Sequence, residues 1–188
     1  MRKIRSNVFE TNSSSMHSIC INKNAREKCT PMEILNDVYV TSKGVVYLYD
    51  NDIMFGRSPF DILISPFEKV KYAIASYGED KVEEITEIFR DIYNEAAPQN
   101  FYKNKDGYKV ILFDHFHFPK DYDGETFYGN VDHQSAGLLQ RFLKRHGITL
   151  KEFLMNPQYV VVIDGDEYCK LQKYKEHGLL SELEVQND

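Results

Sequence analysis

The sequence has no tryptophan, few cysteines and no long apolar run. Its three cysteines are Cys20, Cys29 and Cys169, and they form no Cys-x-x-Cys pair. An odd number of scattered cysteines indicates neither a disulfide framework nor a cysteine zinc site. No stretch approaches the roughly 18–20 apolar residues of a membrane helix, and no apolar stretch follows the basic N-terminus. We therefore expect a soluble protein that acts in the cytoplasm.

The sequence also has fewer basic than acidic residues. Lysine and arginine number 23 against 29 acidic residues, which gives a net charge of −6. That balance argues against a surface that tracks phosphate groups or anionic lipid. No glycine pattern of a phosphate-binding or dinucleotide-binding loop occurs. Residues 138–153 have the length of a helix-turn-helix, but the second helix begins Leu-Lys-Glu-Phe and lacks base-reading side chains. We expect neither nucleic acid nor a membrane as a partner.

What is present is the composition of an ordinary globular protein. The 188 residues are 42% hydrophobic and 28% charged, which fits a single domain over residues 1–188 with a real core. Thirteen tyrosines and twelve phenylalanines provide the aromatic packing that tryptophan would otherwise share.

Capping signals and apolar periodicity predict helical segments at about 66–77, 80–95, 135–146 and 150–155. The first follows Ser65 and Pro66, with Glu68 completing a capping box, and should end at Gly78. The last opens on a similar box at Thr149 and should end at Pro157.

Strand patterns lie between these helices. Residues 19–21 predict a short strand, 38–41 and 45–49 a β-hairpin with Gly44 in its loop, and 108–118 the strongest strand. The apolar run 159–163 predicts a buried central strand. Because strands and helices do not alternate cleanly, we predict an α+β fold with a mixed, mostly antiparallel sheet and packed helices.

The first candidate site is a serine-rich N-terminal loop at 11–18. Clustered hydroxyls and backbone amides can hold an anion, or can supply a serine nucleophile beside a basic histidine. We assign Ser14 and His17 as candidate catalytic residues of this loop. Its candidate ligand-binding residues are Asn12, Ser13, Ser15 and Ser18. The alternative is a flexible serine-rich turn with no site.

The second candidate site is the run Asp132, His133, Gln134 and Ser135, directly before a predicted helix. Backbone N–H groups at a helix start attract an anion, and His133 or Gln134 could point at it. Asp132 and His133 are candidate catalytic residues, and Gln134 and Ser135 candidate ligand-binding residues. The alternative is that Asp132 only caps the helix.

The third candidate is a metal site. Alternation along the strand 108–118 would place His115 and His117 on one face with Ile111 and Phe113, where both imidazoles could bind one metal ion. A further ligand would come from Asp164 after the strand 159–163, or from another histidine or acidic residue. The sequence requires no cofactor and identifies none, and it is compatible with a divalent metal. The alternative is that both histidines are ordinary strand residues.

Three motifs together resemble a family of small proteins encoded by bacteriophages and prophages. They are Asn-Val-Phe-Glu-Thr-Asn-Ser-Ser-Ser-Met-His-Ser at 7–18, Gly-Asn-Val-Asp-His-Gln-Ser at 129–135 and Phe-Leu-Met-Asn-Pro at 153–157. The resemblance implies a viral origin and a site of action in the bacterial cytoplasm, and it implies no reaction type. If the first two motifs both belong to the family pattern, we expect them to meet in space.

Three functions follow as hypotheses. The leading one is a phage protein with a polar Ser/His/Asp cleft that handles an anionic or amide-bearing small ligand; in an enzyme, His17 or His133 would be the acid or base and Asp132 would orient it. An alternative is a phage protein that binds and inhibits a host bacterial protein, such as a defence component, through an aromatic patch with an acidic rim. The third is a metal-dependent hydrolase.

Overall fold

The computed structural model describes residues 16–56, 60–99, 102–104, 107–164 and 169–185. Within these residues the helices are α1 (Pro31–Leu35), α2 (Asp50–Ile53), α3 (Pro66–Tyr77), α4 (Val82–Ala96), α5 (Leu138–His146), α6 (Leu150–Met155) and α7 (Cys169–Glu176). The strands are β1 (Met16–Asn22), β2 (Val45–Tyr47), β3 (Met54–Phe55), β4 (Asp61–Leu63), β5 (Tyr102–Asn104), β6 (Gly107–Lys109), β7 (His115–His117), β8 (Asn130–Val131), β9 (Tyr159–Asp164) and β10 (Leu180–Val185). Short 3-10 helices occupy Gly78–Lys81, Ala97–Gln99 and His133–Ser135.

The main sheet has the order β10-β1-β9-β4, with every pair antiparallel. The apolar run of β9 is central and buried, as its composition predicts, because strands cover both of its edges. Two-stranded sheets form between β2 and β7 and between β3 and β8, both parallel, and between β5 and β6, antiparallel. The predicted α+β class with a mostly antiparallel sheet is confirmed.

Side chains on the two faces of the main sheet enter different apolar clusters. Ile19, Val161 and Ile163 join the large core under the helices. Cys20 and Val162 face the opposite side, in a smaller cluster covered by α7. Since neighbours along a strand point to opposite faces, this division decides which strand residues contact the large core and which contact α7.

The predicted caps and periodicities place the long helices correctly. Ser65 and Glu68 form the reciprocal capping box of α3, which ends at Gly78 with φ 59°. In α4 the apolar face is buried through Ile85, Phe89 and Ile92, and the acidic face is exposed. No helix among the described residues is long and apolar enough to cross a membrane.

The predicted hairpin at 38–49 is wrong. Gly44 does have a positive φ of 83°, but residues 38–41 form no strand, and β2 pairs instead with β7 in parallel. That pairing brings Val46 opposite Phe116, and both are buried. Burial in the core therefore decides the partner of β2, rather than the nearby turn.

The predicted strand at 108–118 is interrupted between β6 and β7. The Asn94 side chain donates to the carbonyl of Phe113 at 3.0 Å and accepts from its N–H at 2.8 Å. Arg90 donates to the carbonyl of Asp114 at 2.8 and 2.6 Å. Because α4 takes up these backbone groups, residues 110–114 run as irregular chain instead of a ladder strand.

Candidate functional site

His17 lies in β1, which extends beyond the predicted strand 19–21, and its side chain is fully buried. It shares a face of the sheet with Ile19, so it points at α3, where its Nδ1 is 3.1 Å from the hydroxyl of Tyr72. Burial lowers the pKa of His17 to about 4, while the nearby Asp132 acts in the opposite direction. His17 is consequently neutral at physiological pH.

Asp132 and Ser135 belong to a turn that is held against the core. Asp132 donates its N–H to Phe55 at 3.0 Å, continuing the pairing of β3 with β8, and accepts from the N–H of Ser135 at 2.8 Å. The resulting 3-10 helix contacts β1. The Asp132 side chain is 10% exposed and Ser135 is buried.

His133 is the exposed neighbour of Asp132. Its side chain is 82% exposed, and its Nδ1 is 3.7 Å from Oδ1 of Asp132. Asp132 therefore interacts with a buried neutral imidazole on one side and a solvated one on the other. We call His17, Tyr72, Asp132 and His133 the His17–Asp132 cluster. It brings together residues of the two motifs that the sequence predicts to meet.

Other predicted site residues have different placements. Asn12, Ser13, Ser14 and Ser15 lie outside the described residues. Ser18 is buried on the face of the main sheet opposite to His17, with its Oγ 3.6 Å from Sγ of Cys20. It therefore lies on the same face of the sheet as the small cluster under α7 and contacts Cys20 there.

The prediction that residues 132–135 directly precede the next helix, with Asp132 or Ser135 as its N-cap, is wrong. They form a separate 3-10 turn, of which Gln134 is the middle residue. The helix α5 begins only at Leu138, after Gly137 with φ 79°, and no side chain caps it. The N–H groups that start α5 thus follow Gly137, and Asp132 does not cap them.

The three predicted metal ligands are not brought together. His115 and His117 are exposed on β7 on either side of the buried Phe116. Asp164 is buried at the end of β9, in the main sheet. Among the described residues no group of three or more His, Cys, Asp or Glu side chains could hold a metal ion. The two histidines do not share a face with buried Phe113, because the strand is interrupted at residues 110–114.

Tyr72 is the cluster residue that sequence reasoning missed. It lies on the buried face of α3, and burial raises the pKa of its hydroxyl. A tyrosine among apolar residues of a helix needs a hydrogen-bond partner when it is buried. That requirement was the available signal, but the partner, His17, lies 55 residues away along the chain.

Three clefts formed by described residues lie elsewhere. One, of about 440 Å³, runs along α4 beside β7. Two others, of about 250 and 620 Å³, adjoin at Cys29, Lys151 and Met155. Access to the His17–Asp132 cluster is at its exposed member, His133. Comparison with protein-family models, curated proteins and solved structures finds no match to this chain.

Acid should destabilise the protein through His17. Its pKa is about 4 when folded and about 6.5 when unfolded, so between these values the unfolded chain binds more protons. The contribution of His17 to the free energy of unfolding is therefore fully present above pH ~6.5, and it is lost as the pH falls toward 4. We expect His17 to account for about 2 kcal/mol of the loss between neutral pH and about pH 5.

Urea unfolding of the natural protein and His17→Gln across this pH range measures the contribution. Glutamine cannot titrate but keeps hydrogen-bonding groups near Tyr72. The difference between the two proteins should shrink toward acid. If the difference in free energy of unfolding between the two proteins did not change with pH, His17 would not be buried as a neutral imidazole.

Proposed function

We propose that this is a small phage-type protein that binds an amide-bearing ligand at Asp132 and His133, with His17 and Tyr72 as buried supports. One observation carries the proposal. Two polar motifs more than one hundred residues apart converge, so that Asp132 acts on both a buried and an exposed imidazole. Burying histidine, tyrosine and carboxylate groups costs stability, and such clusters are enriched at functional sites.

Charge favours an amide over an anion as the ligand. The Asp132 carboxylate repels an anion, whereas it accepts a hydrogen bond from an amide N–H. His17 is neutral and supplies no compensating positive charge. The exposed ring of His133 offers a nitrogen to the other side of the same amide. Of the two ligand classes that the sequence suggests, the amide fits these three groups.

Burial also separates the roles of the two histidines. His17 is enclosed and hydrogen-bonded to Tyr72, so we assign it as a positioning residue for Asp132. His133 is the imidazole that a ligand can touch. In acid–base chemistry at this site, proton transfer to a substrate would fall to His133, and Asp132 would orient its ring.

Benzamide and benzoate form a matched pair for testing the ligand class, since they differ only in amide against carboxylate. Each is titrated into isotopically labelled protein while the NMR signals of the His133 ring and the Asp132 amide are followed. We expect saturable shifts with benzamide and at least about tenfold weaker binding of benzoate. That ratio corresponds to about 1.4 kcal/mol, within the range of one charge-assisted hydrogen bond.

Asp132→Asn is the matched variant, because it removes the charge with little change in shape. It should reduce the preference for benzamide over benzoate. His133→Ala should weaken benzamide binding, whereas His146→Ala, at the end of α5, should not. Equal binding of the two probes, or shifts at neither residue, would overturn the proposal.

The resemblance of the N-terminal and internal motifs to phage and prophage proteins supports a place of action in the bacterial cytoplasm. A second candidate function, binding of a host protein, is favoured by exposed aromatic side chains. Tyr39, Tyr47 and Tyr49 are each about half or more exposed, and the ring of Tyr47 packs at 4.7 Å on that of His117. Exposed tyrosines of this kind are frequent at protein interfaces.

A further inference from the structure

A groove with one acidic and one aromatic wall runs along α4. It encloses about 440 Å³. The acidic wall consists of Glu79, Glu83 and Glu87, all exposed. The facing wall contains Phe116, Phe118 and Tyr128, with the rings of Phe118 and Tyr128 edge to face at 4.9 Å. We call this feature the α4 groove.

The three carboxylates of the acidic wall outnumber the single guanidinium in the lining, that of Arg90. None of Glu79, Glu83 and Glu87 forms an ion pair within the described part of the chain, whereas the neighbouring Glu84 pairs with Lys81 at 2.5 Å. Arg90 also lines the groove, but its Nε and Nη2 both donate to the carbonyl of Asp114. The guanidinium of Arg90 forms no ion pair with the three carboxylates but keeps its positive charge, so the groove has a net negative charge.

The aromatic wall distinguishes this groove from an ordinary solvated acidic helix face. The half-buried rings of Phe118 and Tyr128 contact each other, and Phe118 packs on the buried Phe116, so Phe118 and Tyr128 present a partly exposed apolar surface. An apolar surface gains free energy when an aliphatic side chain covers it, and aromatic rings also attract cations. A complementary partner therefore combines positive charge with apolar side chains.

We propose that the α4 groove binds a basic segment of another protein in which lysine or arginine alternates with apolar residues. Glu83 and Glu87 are four residues apart in α4 and so lie about 6 Å apart along its axis. Alternate residues of an extended peptide repeat at about 6.6–6.8 Å. An extended segment thus presents one basic side chain to each carboxylate, while its intervening apolar side chains face the aromatic wall.

This surface is separate from the His17–Asp132 cluster and extends the host-binding hypothesis to a definite chemistry. The lining of the groove includes no residue of the cluster. Nucleic acid and anionic lipid do not fit, because the same carboxylates repel them. A free polyamine shares the positive charge but lacks the alternating apolar side chains, so it serves as a control for charge alone.

Fluorescence anisotropy of a labelled peptide of alternating lysine and leucine tests the proposal on the full chain. We expect saturable binding that weakens with added salt. A lysine–serine peptide, a glutamate–leucine peptide and spermine should each compete at least about tenfold less well. Equal competition by spermine or by the lysine–serine peptide would overturn the proposal, since charge alone would then explain binding.

Paired variants of α4 locate the binding surface. Glu83→Gln with Glu87→Gln should weaken peptide binding about tenfold. Glu84→Gln with Asp91→Asn removes the same amount of charge from the same helix outside the groove lining, and should leave binding within about twofold. Equal losses in the two double variants, or no binding by the natural protein, would also overturn the proposal.

Discussion

Gly129→Ala should lower the free energy of unfolding by about 4 kcal/mol, a loss at the upper end of what single substitutions cause. Gly129 has φ 87°, a conformation that costs an alanine about 1 kcal/mol. A Cβ at this position would also lie 2.2 Å from the carbonyl oxygen of Ile53. Because that atom is backbone at the end of α2, β8 must move away from β3 to accept the methyl group.

Gly124→Ala separates the two causes. Gly124 has nearly the same φ, 84°, but no atom lies within 4 Å of its added Cβ. It should therefore lose only about 1 kcal/mol, from backbone strain alone. Urea unfolding of both variants measures the difference, and equal losses would show that the contact with Ile53 costs nothing.

The same contact bears on the His17–Asp132 cluster. Gly129 directly precedes β8, and Asp132 directly follows it and donates to Phe55. Displacing β8 would shift Asp132 relative to His17. The NMR signal of the His17 ring should therefore change in Gly129→Ala and stay unchanged in Gly124→Ala.

Lys69→Met should lower the free energy of unfolding by about 3 kcal/mol. Lys69 is fully buried in α3, and its Nζ donates to the carbonyls of Phe153, Asn156 and Tyr159 at 2.8, 2.8 and 3.1 Å. The carbonyl of Phe153 has no helical alternative, because the residue four positions later is Pro157, which carries no N–H. Methionine has similar length and leaves these acceptors facing an apolar end.

Lys71→Met is the matched control on the same helix. Lys71 is partly exposed and contacts Asp52 at 3.4 Å, so its loss should cost no more than about 1 kcal/mol. Chemical unfolding of the two variants measures the comparison. A small loss in Lys69→Met would mean that the three carbonyls find other donors when the ammonium is removed.

The contribution of Lys69 should also depend on pH. Burial lowers the pKa of its amine from about 10.5 to about 7 in the folded protein. Between these values the unfolded chain binds more protons, so the natural protein should gain stability relative to Lys69→Met as the pH rises from 7. The facing carbonyls favour the charged ammonium and oppose this change. A difference that stays constant with pH would mean that the carbonyls offset the effect of burial on the pKa.

Features determined by a few neighbouring residues were predictable. The capping box of Ser65 and Glu68, the end of α3 at Gly78 and the apolar stripe of α4 all depend on contacts within one or two helical turns. Local patterns decide such contacts wherever the fold buries the expected face. The buried β9 is of the same kind, because its continuous apolar run requires cover on both faces.

Strand partners were not predictable in this way. The sequence around β2 favours a hairpin, yet β2 pairs with β7, and β10, which no local pattern predicted, lies along β1. A strand's edge can pair with any other strand, and its choice depends on which pairing buries the most apolar surface in the assembled core. A short segment of sequence does not show how much apolar surface each alternative pairing would bury.

The candidate site was likewise predictable only in part. Its polar residue types were evident from the chain, and the meeting of the two motifs was expected from the resemblance, since motifs that belong to one family pattern are expected to share a site. Tertiary structure alone decided that His17 is buried and neutral against Tyr72, that Asp132 lies beside it, and that Ser18 faces away. A residue's chemistry comes with its identity, whereas its charge state and accessibility depend on neighbours that only folding brings to it.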